Sequence, residues 1–140
     1  MKKILVTGGL GFIGSHTVVE LQQAGYEVVI IDNLYNSKIE VLDRIISITG
    51  IKPSYFNIDL RNKTAVKDFF NTNKVDGIIH FAASKAVGES VKNPLLYYEN
   101  NISTLVYLLQ EMKEHQLSNF IFSSSCTVYG QADELPITEN

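Results

Sequence analysis

The segment Thr7-Gly8-Gly9-Leu10-Gly11-Phe12-Ile13-Gly14-Ser15-His16 directly follows a short apolar run at 3–6 and opens an amphipathic stretch. It contains Gly9, Gly11 and Gly14 in a G-x-G-x-x-G pattern, and equally Gly8, Gly11 and Gly14 at three-residue intervals. Such a pattern means little by itself. Between a strand and a helix it places bare backbone N–H groups where they can face a pyrophosphate, while Gly14 lets helix and sheet approach closely. The next β-branched run closes on Asp32, about 20 residues past the motif, where a carboxylate can accept hydrogen bonds from adenosine ribose hydroxyls and repel a 2′-phosphate. The expected ligand is therefore NAD rather than NADP, with Gly8, Gly11, Gly14 and Asp32 as candidate contacts.

The rest of the chain fits that start. Runs rich in β-branched residues recur at 3–6, 28–32, 54–58, 77–81 and 119–124. They are nearly continuous in apolar residues, as strands covered by helices on both faces should be. Between the first two, Ile13, Thr17 and Leu21 share a helical face, and Gly25 is a suitable stop. Helices are expected over 39–48 and 64–71. The longest is expected to begin at Asn93-Pro94, where Asn can cap and Pro fits the first turn, and to present Ile102, Leu105, Leu109 and Met112 on one face. Five strands and four main helices in this order predict an α/β layer sandwich, a Rossmann-type doubly wound parallel sheet.

Ligands of open α/β sheets collect beyond the carboxyl ends of the strands. The fourth run delivers Phe81, Ala82, Ala83, Ser84 and Lys85 there, small residues followed by a cation that can meet a phosphate or simply be solvated. The fifth delivers Ser123, Ser124 and Ser125. Asn100-Asn101 interrupt an otherwise apolar helix, which predicts one amide facing the site and the other facing solvent. Asp59 either lines an adenine pocket or caps a turn before Arg61-Asn62. A thiol–imidazole pair of Cys126 and His80 is the rival chemistry, but both sit in apolar strand contexts that favour a buried Cys and a satisfied core His. Tyr97, Tyr98 and Tyr107 read as packing residues of the long helix. His16 and His115 lack metal-ligand spacing, so no metal is expected.

Composition narrows the partners. The 140 residues carry 12 Lys and Arg against 15 Asp and Glu, a net charge of −3 without a basic block, so neither nucleic acid nor an anionic membrane is expected. One cysteine makes no internal disulfide. With no signal peptide and no membrane-length apolar run, a cytoplasmic protein is the expectation.

Four segments, TGGLGFIGSHT, VIIDNLYNS, HFAASKAVGESV and FIFSSSCTVYG, closely resemble the extended short-chain dehydrogenase/reductase family, and within it the UDP-hexose 4-epimerases. The resemblance covers essentially the whole chain. It implies an NAD that takes hydride from C4 of a UDP-hexose and returns it to the other face of a 4-keto sugar, a reaction of galactose metabolism. It puts Phe12 and Ile13 against the pyrophosphate, and Asp32, Asn33, Asn36 and Ser37 around the adenosine ribose. Asp59 and Leu60 go to the adenine, Phe81, Ala82 and Lys85 line the cofactor cleft, and Asn100 contacts the cofactor. Ser125 is the catalytic serine, bonding the sugar 4-oxygen; Ser123, counted with the cofactor set, and Ser124 support the strand end.

The family also carries a Tyr-x-x-x-Lys element, with Tyr as acid/base. None of the seven tyrosines here has Lys four residues on; Ile30, Ile39, Asp59, Asn101, Ile102, Glu111 and Asp133 stand there. The expectation is an NAD-binding domain over 1–140, the amino-terminal part of a longer enzyme, with the substrate domain absent and the isolated chain inactive. Its uncovered fifth strand predicts self-association. Two other readings stand beside this one: another NAD-dependent nucleotide-sugar enzyme, dehydratase or decarboxylase, and a non-catalytic NAD-binding module.

Overall fold

A computed structural model describes residues 1–130 and 135–138, with the side chains of Cys126 and Thr127 left out of the description. Five strands, β1 (Lys3–Thr7), β2 (Glu27–Ile31), β3 (Ser54–Phe56), β4 (Gly77–His80) and β5 (Phe120–Phe122), form one sheet in the order β3-β2-β1-β4-β5. Every pairing is parallel. The Rossmann-type sheet is therefore observed, with its change of winding direction between β1 and β4. Strands β3 and β5 are shorter than the apolar runs suggest. Each has a single neighbour, and pairing stops at Phe56 opposite Ile31 and at Phe122 opposite His80.

Successive strand residues feed opposite cores. Leu5, Val29, Ile31 and Ile78 pack with Phe69, Phe70, Leu108 and Met112 on one side. Val6, Val28 and Ile30 pack with Leu10, Val18 and Ile45 on the other. The helices are α1 (Phe12–Gln23), α2 (Glu40–Thr49), α3 (Lys63–Thr72), α4 (Val87–Lys92), α5 (Pro94–Tyr97) and α6 (Thr104–Glu114). Asn62 caps α3, accepting the Ala65 N–H at 3.1 Å.

Two helical faces differ from expectation. In α1 the buried residues are Gly14, Val18 and Gln22, whereas Ile13 is 53% exposed. The contact of Gly14 with the Gly8–Gly9 backbone sets the helix rotation and carries Ile13 outward. The long helix is not continuous: a π-helical turn, Tyr98–Ser103, separates α5 from α6. Beyond it Thr104, Leu108, Glu111 and Met112 are buried, while Leu109, and Ile102 within the π turn, are exposed. Leu105, Val106, Leu108 and Leu109 are apolar almost all round the helix, so periodicity alone did not select its inner side.

Candidate functional site

Gly8 and Gly14 build the junction between β1 and α1. Gly8 has φ +68°, and a Cβ there would meet the Ala82 backbone nitrogen at 2.8 Å. A Cβ on Gly14 would collide with the Gly8 carbonyl oxygen. Only glycine permits both approaches, the first tying the loop after β1 to the loop after β4 and the second seating α1 on the turn. Gly11 is the N-cap of α1 and supplies no side-chain cap, and the first turn contains no acid. Phe12 and Ile13 begin the helix with largely exposed side chains. An uncapped, acid-free helix start at the carboxyl edge is suited to an anion.

Asp32 is 7% exposed and stands one residue past β2. Its carboxylate accepts the Leu10 N–H at 3.0 Å, the Leu34 N–H at 2.9 Å and the Ser37 hydroxyl at 2.6 Å. It thus ties the glycine turn to the 33–37 loop. The Tyr55 hydroxyl donates to the Asp32 carbonyl at 3.2 Å, and burial, then the Asp32 charge, raises the Tyr55 pKa. A groove of about 410 Å³ runs from Leu10, Gly11 and Phe12 to Asn36, Ser37, Lys38, Glu40, Val41 and Arg44. Lys38, Glu40, Val41 and Arg44 were not anticipated from sequence, although Val41 and Arg44 lie one turn apart on the predicted second helix.

Asp59 caps its turn: Oδ1 accepts the Arg61 N–H at 2.9 Å, and the guanidinium reaches Oδ2 at 2.6 Å. The Arg61 side chain, with a smaller contribution from Asn33, holds the Asp59 pKa below the ordinary carboxylate range. Leu60 is 5% exposed and packs in the core with Val29 and Ile31, so its side chain is committed there.

Phe81 and Ala82 are half-buried beyond β4, and Lys85 is exposed. The expectation of one amide inward and one outward is corrected at Asn100-Asn101, because both turn to Ser84. Asn101 Oδ1 accepts the Ser84 N–H and its Nδ2 donates to the Ser84 carbonyl, each at 2.8 Å. Asn100 Nδ2 donates to Ser84 Oγ at 3.1 Å. The π turn carries both asparagines, and these bonds offset the poor helix propensity that the sequence exposed. Tyr97 is likewise more than packing. Its hydroxyl meets Ala86 N at 3.0 Å, Ala86 O at 2.8 Å and Glu89 Oε2 at 2.8 Å. Its pKa is raised, first by desolvation and then by Glu89.

His80 is 2% exposed, with Nδ1 2.6 Å from Thr7 Oγ1. The expected satisfied core histidine holds for one nitrogen only, since Nε2 finds no hydrogen-bond partner among the described residues. Burial lowers its pKa to about 4. The Cys126 thiol of the rival pair lies outside the described side chains. Ser123 donates its N–H to the His80 carbonyl at 3.2 Å, fixing the start of the serine segment beside β4. Ser125 is exposed beyond β5, and its carbonyl accepts the Val128 N–H at 3.1 Å. Among the described residues no group of three or more His, Cys, Asp or Glu side chains could hold a metal ion. No described helix is long and apolar enough to cross a membrane.

The 3-2-1-4-5 parallel sheet, the glycine junction and the acid after β2 define a Rossmann-type domain. The chain belongs to the NAD dependent epimerase/dehydratase family, whose model matches residues 4–140. It is 50% identical over 140 residues to the UDP-glucose 4-epimerase of Neisseria meningitidis serogroup B, covering all of this chain and 41% of that protein. The Dictyostelium discoideum UDP-glucose 4-epimerase is 50% identical over 138 residues, covering 99% of this chain and 40% of that protein. Among solved structures, the Bifidobacterium longum UDP-glucose 4-epimerase in complex with NAD+ and UDP has a TM-score of 0.92 and 47% identity, covering 99% of this chain and 41% of that one. The Stenotrophomonas maltophila enzyme, with bound NAD and formylated UDP-arabinopyranose, has a TM-score of 0.92 and 45% identity at the same coverage. The chain thus spans about two fifths of the length of these relatives.

Proposed function

We propose that these residues form the NAD-binding domain of a UDP-glucose 4-epimerase, which interconverts UDP-glucose and UDP-galactose in the cytoplasm. The observation that carries the reading is the β1–β4 junction. There Gly8 and Ala82 meet at the change of winding direction, beside the uncapped start of α1 and within reach of the Asp32 loop. In this reading Gly8, Gly11, Phe12, Ile13 and Gly14 receive the pyrophosphate. Asp32, Asn33, Asn36 and Ser37 hold the adenosine ribose. Asp59 and Leu60 border the adenine, Leu60 through its backbone because its side chain is in the core. Phe81, Ala82, Lys85, Asn100 and Ser123 line the rest of the cleft.

NAD, when bound, supplies a two-electron acceptor and donor for C4 of the hexose. Ser125 holds the 4-oxygen of the sugar by a hydrogen bond from its hydroxyl. The proton of that oxygen needs a general acid/base, a Tyr in the resembling family, and no tyrosine of these 140 residues has its partner Lys four positions on. We therefore propose that the 140-residue chain binds NAD but does not turn over UDP-hexose, since removing a positioned base alone costs a factor on the order of a hundred or more. Calorimetry with NAD, and an epimerase assay on the purified chain, test the two halves. Heat of NAD binding without epimerisation is expected; absence of NAD binding sinks the first half and clear epimerisation the second. A longer form of the protein that dehydrates or decarboxylates a nucleotide sugar would favour the neighbouring chemistry instead.

The reading includes a homo-oligomer. Val91, Leu95, Tyr98, Ile102, Val106 and Leu109 are exposed at three- and four-residue spacings from α4 through α6. Such a seam suits burial against a second copy.

A further inference from the structure

Lys85 sits between two residues whose backbone groups are both held by one helical stretch. On its N-terminal side, Asn101 engages the Ser84 N–H and the Ser84 carbonyl, each at 2.8 Å. On its C-terminal side, the Tyr97 hydroxyl accepts the Ala86 N–H at 3.0 Å and lies 2.8 Å from the Ala86 carbonyl. Tyr97 closes α5, and Asn101 lies in the π turn that follows. The amide of Asn101 mimics a peptide group, pairing with Ser84 as a neighbouring strand would. Asn100 adds a third tie through Ser84 Oγ at 3.1 Å. Between these ties the Lys85 side chain is exposed.

We propose that Tyr97 and Asn101 are positioning residues that fix the backbone on both sides of Lys85, and so aim its ammonium at the anionic part of a dinucleotide. The inference rests on the reading of Lys85 as a cofactor-cleft residue. An ammonium on a free loop must order the backbone as well as its own long stem when it meets a phosphate, and the two ties remove the backbone share beforehand. The π turn, which carries Asn100 of the cleft lining, thereby also positions Lys85 through Asn101.

The test is a double-mutant cycle on NAD affinity, by calorimetry at low and moderate salt, with Asn101→Ala, Tyr97→Phe, Lys85→Met and the paired combinations. Each single variant is expected to weaken NAD roughly tenfold, whereas Asn101→Ala and Tyr97→Phe each cost less than about twofold once Lys85 is Met. Asn101→Ala should also flatten the salt dependence of binding, because an unaimed ammonium contributes less screened attraction. Asn101→Asp, which keeps the acceptor for the Ser84 N–H and loses the donor, should fall between. Additive losses and an unchanged salt slope overturn the proposal. Amide hydrogen exchange decides it independently of the cofactor. Asn101→Ala should speed exchange at Ser84, and Tyr97→Phe at Ala86, by about tenfold or more, and unchanged rates overturn it. A wild-type chain that exchanges as expected but binds no NAD defeats the functional reading and leaves the clamp standing.

Discussion

Thr7 Oγ1 and His80 Nδ1 lie 2.6 Å apart across the β1–β4 boundary, at the last residue of each strand. The Ala82 N–H donates to the same Thr7 oxygen over a long 3.5 Å. The Thr7 hydroxyl has one proton and two lone pairs, so it can bond His80 Nδ1 in either imidazole tautomer while accepting from Ala82. The pair joins the two strands just before the loops in which Gly8 and Ala82 meet.

The histidine makes acid stability a sharp test. Its pKa is about 4 in the fold against about 6.5 when unfolded. The unfolded chain therefore binds a proton that the folded one refuses, and stability is lost as pH falls from about 6.5 to 4, with no further loss from this group below that. Between pH 7.5 and 5 the expected loss is about 2 kcal/mol. Urea titrations at the two pH values should show it in the wild type and much less of it in His80→Asn. An equal loss in both would place the acid sensitivity elsewhere.

Gly14→Ala tests the seating of α1. The added methyl meets the Gly8 carbonyl and the Gly9 Cα, both backbone, so the helix must move away from the turn. A destabilisation of about 1–3 kcal/mol is expected, at the scale of overpacking, with loss of NAD affinity beyond what the stability change accounts for. Thermal denaturation and calorimetry on the same variant check both. Wild-type affinity would show that the helix start does not hold the pyrophosphate.

Asp32 combines structure and selectivity. Replacing it with Ala leaves the Leu10 and Leu34 N–H groups and the Ser37 hydroxyl without their acceptor, at a cost of about 2–4 kcal/mol for buried donors that had a charged partner. The wild type should prefer NAD to NADP by at least about tenfold, since a 2′-phosphate must approach a carboxylate. Lys38 and Arg44 in the adjoining groove oppose that repulsion without outweighing it, so the preference for NAD should narrow as salt is raised and the net repulsion is screened. Equal affinity for the two dinucleotides would mean that those cations outweigh Asp32.

Some of this was legible in the chain and some was not, for physical reasons visible at single residues. Glycines at 8, 11 and 14 and the acid at 32 can be read because each answers a local requirement of the backbone or of one ligand group. The parallel pairing follows from βα alternation, but the order 3-2-1-4-5 does not, because the same alternation also winds as 2-1-3-4-5. The face of α6 could not be read, because a helix apolar nearly all round leaves the choice to its tertiary neighbours. Asn100-Asn101 signalled a break in the helix, yet their common partner, Ser84, lies 16 and 17 residues away in sequence. The role of Tyr97 was hidden because a phenol on an apolar helix gives the same pattern whether its hydroxyl is idle or bound.

The exposed seam carries the final prediction. Leu95 is 80% exposed, Val91 77%, Tyr98 61% and Ile102 52%, spread over α4, α5 and the π turn. Such side chains gain roughly 1.5–3 kcal/mol each when fully buried, so a few at the centre of a symmetric contact can hold two copies together against the association cost. Multi-angle light scattering across a concentration series should show a dimer or higher assembly. Leu95→Glu with Ile102→Lys should shift it to monomer without lowering thermal stability at low protein concentration, because neither side chain is part of either core. A persistent monomer in the wild type would remove the homo-oligomer from the reading. A persistent dimer in the double variant would move the contact off this seam, with the β5 edge, where Ile121 is 61% and Phe122 49% exposed, as the surface to mutate next.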